Sequence, residues 1–423
     1  MIEARVGQAL GQSLPPPIED SDLEKRVQVA VADSGRKVVA LDDDPTGVQT
    51  VHDVAVLAVW DAERLAAELA DPAPLFFILT NSRALPEDRA AALNREIARN
   101  LLDARRESGV PFVIASRSDS TLRGHFPAET DALAAALGGI DGVLICPAFF
   151  EGDRVTAGDV HLVRDGDWLV PAAETEFARD ATFGYSARSL TGWVEEKTHH
   201  RIKTADVASL TLEEIRRGGP ERVAARLRGA RHEQPIVVNA LDYPDLWTVV
   251  LGLLQAEAEG KRFLYRTGAS FVRARAGIAA RPLLRRDELL GPNAPRPRQV
   301  DDSLETGQSP VVYTSRHVER PDGMEELVVA RVVSDALVAI VRGIEARPDF
   351  VVGKGGITSS DVGTRGLGAE RATVLGQVRP GVPVWRLGPE SRFPGMPYIV
   401  FPGNVGEAET LAEIVTELIG SQP

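Results

Sequence analysis

The chain has 423 residues, 43% of them hydrophobic and 26% charged, with a formal net charge of −13 and a pI near 5.2. This length favours two domains over one large core, and the acidic balance argues against nonspecific nucleic-acid binding, which needs a basic surface. A single cysteine, Cys146, excludes an internal disulfide, and no apolar stretch approaches the ~20 residues of a membrane span.

The N-terminal stretch carries Glu3, Arg5 and Pro15-Pro16-Pro17 and lacks the apolar core of a signal peptide, so a soluble cytoplasmic protein is expected. Residues 1–35 read as a polar extension with one short helix. Strands are predicted at 37–41, 54–59, 75–79, 112–115 and 143–146. Asp61 is placed to cap a helix containing Leu65 and Leu69. Pro86 opens another, which runs through Ala90, Leu93, Ile97 and Leu101 to Gly109. Residues 126–137 form a third. Strand alternating with helix predicts a parallel sheet covered on both faces.

Residues 149–204, charged and interrupted by Gly152, Gly158, Gly166 and Gly184, read as loops over the first domain's binding face. Strand 236–239, helix 245–259 and strand 263–265 follow. Residues 281–308, with Pro282, Pro292, Pro295 and Pro297, form the linker. Strand 311–314, an amphipathic helix over 324–346, strands 350–352, 372–377 and 398–401, and a closing helix 407–419 complete the chain. The predicted fold class is α/β, with two domains, each a mainly parallel sheet flanked by helices, and an interdomain cleft. The boundaries are an extension 1–35, a first domain 36–280, a linker 281–308 and a second domain 309–423.

Three polar segments follow apolar runs: Asp42-Asp43-Asp44-Pro45-Thr46-Gly47, Asp119-Ser120-Thr121-Leu122-Arg123-Gly124, and Gly353-Lys354-Gly355-Gly356-Ile357-Thr358-Ser359-Ser360. Each lies just past the carboxyl end of a strand, where open α/β sheets bind ligands. Neighbouring side chains on a strand point to opposite sides, so the three aspartates cannot all face one ligand. Asp43 or Asp44 can accept hydrogen bonds from sugar hydroxyls or act as a general base; the plainer alternative is a solvated acidic turn with a helix cap. Ser82-Arg83, Arg117 and Arg123 bring arginines to strand ends, which suits a small organic acid, and Asp119 is able to orient or deprotonate a hydroxyl. Gly355-Gly356 lets a ligand approach the main chain, and Thr358, Ser359 or Ser360 can cap the helix that follows. The turn Gly403-Asn404-Val405-Gly406 repeats this logic. The seven histidines form no metal pattern, and no Walker loop, strand-following GxGxxG or GxSxG elbow is present.

Taken together, these segments resemble the four-carbon acid sugar kinase family. The match comprises Asp43-Asp44-Pro45-Thr46-Gly47, the hexapeptide Asp119 to Gly124, Pro147-Ala148-Phe149 with Gly152, Arg154 and Thr156, the loop Gly355 to Ser359, and Gly403 to Gly406. Three departures stand out. Arg117 replaces the family's usual lysine. Phe401-Pro402 replaces the Lys-Ser before Gly403. A Gly-Ser segment expected early in the second domain is missing between Gly277 and Val311.

The resemblance implies ATP-dependent phosphorylation of a terminal hydroxyl on a threonate, erythronate, oxo-tetronate or related acid. It implies catalytic roles for Asp43 and Asp119, and acid binding by Asp44, Thr46, Gly47, Ser82, Arg83, Arg117, Ser120, Arg123 and Arg154. Nucleotide binding falls to Gly355, Gly356, Ile357, Thr358, Ser359, Gly403 and Asn404. ATP and Mg²⁺ are the cofactors, with no protein metal site. No nucleic-acid or membrane partner is expected, and a homodimer is the default. The rival readings are an ATP-independent sugar-acid lyase or isomerase, and a sugar-acid-binding protein without catalysis.

Overall fold

The computed structural model describes residues 2–11, 13–285, 288, 309–311, 326–403, 405–407 and 409–419. The chain divides into two compact units. The first comprises Met1–Asp43 and Trp60–Ala280, the second Asp44–Val59 and Arg281–Pro423.

The first unit is built on seven strands in the order Leu75–Leu79, Lys37–Asp42, Phe112–Arg117, Phe263–Thr267, Gly142–Cys146, Gln234–Val238 and Ala208–Leu210. Every pairing among them is parallel. Strands buried on both faces read as continuous apolar runs, and Leu75–Leu79 and Lys37–Asp42 are buried throughout. The strand order reverses at Lys37–Asp42, whose neighbours are Leu75–Leu79 on one side and Phe112–Arg117 on the other. A ligand site is expected at the carboxyl ends of strands beside such a reversal.

Helices cover this sheet as the apolar spacing dictates. Glu87–Ser108 buries Ala90, Ile97, Ala98, Leu101 and Ala104, has Glu87 and Asp88 in its first turn and Arg105 and Arg106 in its last, and ends on Gly109 at φ 72°. Asp61 caps Ala62–Ala70 by accepting from the Arg64 N–H. The N-terminal stretch holds two helices rather than one, Ile2–Leu10 and Leu23–Ser34. The second buries Leu23, Val27 and Val31 and packs on Tyr243–Ala258.

Residues 149–204 are more ordered than their charge suggested. Val155–Ala157, Val160–Asp165 and Trp168–Pro171 form an antiparallel sheet, with turns at Gly158-Asp159 and Gly166-Asp167. Helix Leu190–Lys197 follows, its Trp193 buried and stacked on Phe126 with centroids 4.6 Å apart.

The second unit has five strands in the order Val351–Lys354, Pro397–Phe401, Val382–Leu387, Arg371–Arg379 and Val54–Leu57. Only the first pair is parallel; the others are antiparallel, contrary to the expected mainly parallel sheet. The cause is a hairpin, Arg371–Arg379 returning through Gly381 as Val382–Leu387, a strand that sequence reasoning missed. Val378, Val382, Val384, Ile399, Phe401, Ile414 and Leu418 fill this core. Within the expected linker, Leu284 is buried in the same cluster and Arg281 pairs with Asp53 at 3.4 Å. Residues 286–287 and 289–308 of that linker, and 312–314 of the expected strand 311–314, lie outside the described residues, and Val311 is not in a strand.

Candidate functional site

Four parallel strands of the first unit deliver polar groups to one edge. Lys37–Asp42 leads to Asp43, Leu75–Leu79 to Ser82 and Arg83, Phe112–Arg117 to the hexapeptide, and Phe263–Thr267 carries Arg266 as its penultimate residue. Asp43 is 4% exposed and is gripped by Arg83 through two bonds, Nη2 to Oδ1 at 2.6 Å and Nε to Oδ2 at 3.1 Å. This paired geometry is the strong form of the arginine–carboxylate contact. Arg117 lies 3.7 Å from the Asp42 carboxylate, both side chains being buried.

The hexapeptide is a tight turn. Leu122 and Gly124 have φ values of 72° and 118°, uncommon for leucine and natural for glycine. The Arg123 Nε donates to Asp119 Oδ2 at 2.6 Å, and the Thr121 hydroxyl donates to the same oxygen. Asp119 Oδ1 has no hydrogen-bond partner among the described residues. Burial pushes the Asp119 carboxyl up, but Arg83, Arg123 and Arg154 outweigh it and hold it well below the usual carboxylate range. Arg154 donates to the Ser120 hydroxyl at 2.6 Å and, like Arg123, lies over the Phe177 ring. The Tyr185 hydroxyl donates to the Thr121 carbonyl at 3.0 Å. His161, 2% exposed, bonds the Ser120 carbonyl through Nε2 at 2.7 Å and Thr156 through Nδ1 at 3.0 Å. The carbonyl requires Nε2 to carry the proton, and burial pushes the ring down to about 4, so the ring is neutral and Nδ1 accepts from the Thr156 hydroxyl.

Beneath Asp43 lies Glu129, 3% exposed. Its Oε1 accepts from Ser82 at 2.5 Å and from Asn94 at 3.3 Å. Burial, with the Asp43 charge adding to it, pushes the Glu129 carboxyl up to about 7.

The first unit thus brings together Asp43, Ser82, Arg83, Arg117, Asp119, Ser120, Arg123 and Arg154. Asp44, Thr46 and Gly47 belong to the second unit. There Asp44 Oδ1 accepts from the Thr46 N–H at 3.0 Å and hydroxyl at 2.6 Å. An ideal Cβ on Gly356 would lie 1.9 Å from Asp44 Oδ2, so only glycine fits beside this carboxylate. Gly355, at φ 92°, donates its N–H to the Phe401 carbonyl at 2.8 Å, and its Cα lies 3.9 Å from an ideal Cβ on Gly403. The two glycine turns, each following one strand of the parallel pair, are therefore adjacent. Ile357 is 46% exposed and Thr358 half-buried. Ser359 is fully buried, and its hydroxyl is committed to the Gly353 carbonyl at 2.6 Å, which makes its side chain part of the turn's framework. Asn404 lies outside the described residues.

A family model described as a sugar-binding N-terminal domain matches residues 38–275, and one described as a nucleotide-binding C-terminal domain matches 296–411. The chain belongs to the four-carbon acid sugar kinase family. It is 28% identical over 178 residues to a D-erythronate kinase of Heliobacterium modesticaldum, a match spanning 41% of this chain and 37% of that relative. Two solved structures share the fold. One, a Haemophilus influenzae protein of a domain-of-unknown-function family, has a TM-score of 0.58 at 17% identity, covering 90% of this chain and 100% of the other. The other, a Salmonella typhimurium protein named as a candidate tRNA synthase, has a TM-score of 0.60 at 16% identity, covering 91% and 100%.

In this member of the four-carbon acid sugar kinase family, the site includes residues that sequence reasoning missed. Arg266 sits one position beyond the predicted strand 263–265, so extending that strand would have found it. Glu129, Asn94 and Phe177 carry no local signal; helix packing and a loop bring them in. No helix among the described residues is long and apolar enough to cross a membrane.

Proposed function

We propose that the chain transfers the γ-phosphoryl group of ATP to a terminal hydroxyl of a small sugar acid of the erythronate, threonate or oxo-tetronate class. The observation that carries this reading is the cluster at the carboxyl edge of the first unit's sheet, where Arg123 is bonded to Asp119, Arg83 to Asp43 and Arg154 to Ser120. Arginines bind a carboxylate, and an ionised aspartate directs a hydroxyl.

Asp119 suits the proton-accepting role better than Asp43. Both Asp43 oxygens are held by Arg83, whereas Asp119 keeps Oδ1 open. A carboxylate held far down is a weak base, but a loose phosphoryl-transfer transition state asks for positioning more than for basicity. Ser82 and Ser120 use their hydroxyls on Glu129 and Arg154, so they orient the grip rather than form it.

The second unit supports the nucleotide half. Adjacent glycine turns expose main chain at Gly355 and Gly403. Among the described residues, no group of three or more His, Cys, Asp or Glu side chains could hold a metal ion. A single carboxylate beside the phosphate loop fits Mg²⁺ that arrives with the nucleotide, since that ion is commonly held by one or two carboxylates plus phosphates. Asp44, read from the sequence as an acid-binding residue, would hold it in this reading. Bound Mg²⁺ would neutralise charge developing on the phosphates.

The test is ADP release by the full-length chain over a panel of tetronates and oxo-tetronates, with Asp119→Asn alongside. The expected result is turnover with at least one acid and its loss in D119N, with ADP affinity kept. Product formed without nucleotide, or turnover retained in D119N, would remove the reading.

A further inference from the structure

Five guanidiniums lie at or beside this edge of the first unit: Arg83, Arg117, Arg123, Arg154 and Arg266. Three are matched by aspartates, Arg83 by Asp43, Arg117 by Asp42 and Arg123 by Asp119. Among the described residues, Arg154 and Arg266 have no carboxylate within ion-pair distance, although they are 8% and 5% exposed. Burial lowers both from the ordinary guanidinium value. Glu129 does not serve as a counter-ion of full strength, because burial favours its neutral form.

Arg154 is partly satisfied by the Ser120 hydroxyl and by the Phe149 and Phe177 rings. Arg266 has less. Its Nη2 donates to the Arg123 carbonyl at 3.0 Å, and its Nε has no hydrogen-bond partner among the described residues. The Ser118 hydroxyl is likewise buried and without a partner there. Both residues converge on Gly124, where an ideal Cβ would lie 3.1 Å from Arg266 Nη2, 3.6 Å from Ser118 Cβ and 2.9 Å from Asp43 Oδ2. Asp43 and Glu129 oppose the desolvation of Arg266 from beyond ion-pair distance, but a buried donor without an acceptor is still costly.

We propose that Arg266, with Ser118 beside it, binds a carboxylate oxygen of the substrate acid, Arg154 serving the opposite end of the turn Asp119–Gly124. The proposal rests on the sugar-acid reading above.

The test uses the full-length chain, titrated calorimetrically with D-erythronate, L-threonate and tartrate, and separately with ADP. Arg266→Met removes the charge at similar bulk. Acid affinity is expected to fall about tenfold to a hundredfold, the effect of a hydrogen bond to a charged group, with ADP affinity unchanged. An ADP affinity that stays constant while acid affinity falls separates loss of this contact from general misfolding. Unchanged acid affinity in R266M overturns the proposal. So does a selective loss of ADP affinity, which would assign Arg266 to phosphate. If R266M does not fold, Ser118→Ala decides: acid affinity about threefold to tenfold weaker supports the proposal, and no change overturns it. If no acid binds the unaltered chain, the sugar-acid reading is what fails. Thermal stabilisation by sulfate then reads the anion site directly, and equal stabilisation of the unaltered and R266M chains overturns it.

Discussion

The Asp44 carboxylate occupies the space that a side chain on residue 356 would need: an ideal Cβ on Gly356 falls 1.9 Å from Asp44 Oδ2 and 2.7 Å from Asp44 Cγ. The two residues are 312 positions apart in sequence, yet each dictates what the other can be.

Gly356→Ala must therefore displace Asp44, whose other oxygen is anchored by Thr46. Overpacking of this kind costs about 1–3 kcal/mol, and urea denaturation should show it. Because the offending partner is one side chain, Asp44→Ala combined with G356A should cost less than the sum of the two single changes. Strictly additive costs would mean that the contact does not exist.

Gly124→Ala meets two obstacles at once. Its φ of 118° is disfavoured for any residue with a Cβ, and the added methyl would press on Asp43 Oδ2 and Arg266 Nη2. A stability loss of about 1–3 kcal/mol is expected, together with weaker acid binding as the Arg83–Asp43 pair shifts. A G124A protein that melts with the unaltered chain would contradict this packing.

Two buried groups give stability opposite dependences on pH. Glu129, pushed from 4.5 to about 7, binds its proton more tightly in the folded state, so its contribution is full below 4.5 and is lost as pH rises through about 7. The size is about 3 kcal/mol. His161, pushed by burial from 6.5 to about 4, must charge as the chain unfolds in acid, so its contribution is full above 6.5 and is lost as pH falls toward 4. Denaturant unfolding from pH 4 to 8 should accordingly change slope in Glu129→Gln between 4.5 and about 7, and in the opposite sense in His161→Gln between about 4 and 6.5. A parallel profile in either variant removes the corresponding assignment.

Cys146 is 1% exposed, and burial pushes its thiol up to about 12. Since the thiolate is the reactive form, iodoacetamide at pH 8 should leave the native chain unlabelled and modify it fully in denaturant. Rapid native labelling would show that the strand Gly142–Cys146 opens readily.

The parallel sheet was legible because apolar runs such as 75–79 and 112–115 are long enough to be strands and too short to be helices. The antiparallel elements were not, since their pairing depends on distant partners. Val382–Leu387 holds a register set by Pro397–Phe401 as well as by its own hairpin. The sheet around Val160–Asp165 hid in a charged stretch, although Gly158-Asp159 and Asp165-Gly166 are turn dipeptides. The aspartate run shows what local reading can and cannot do. Asp44 is extended, with φ −152° and ψ 136°, and the three carboxylates meet different partners, Asp42 Arg117, Asp43 Arg83 and Asp44 Thr46. Which aspartate faces which partner depended on Arg83 and Gly356, both remote in sequence.

Strand Val54–Leu57, though early in the chain, pairs antiparallel with Arg371, Ala372, Thr373 and Val374 of the second unit. A fragment beginning at residue 281 would leave that ladder unmatched, with its N–H and C=O groups open to any other chain. Such a fragment should self-associate when expressed alone, and a synthetic peptide covering residues 44–59, supplied in trans, should restore it to a monomer.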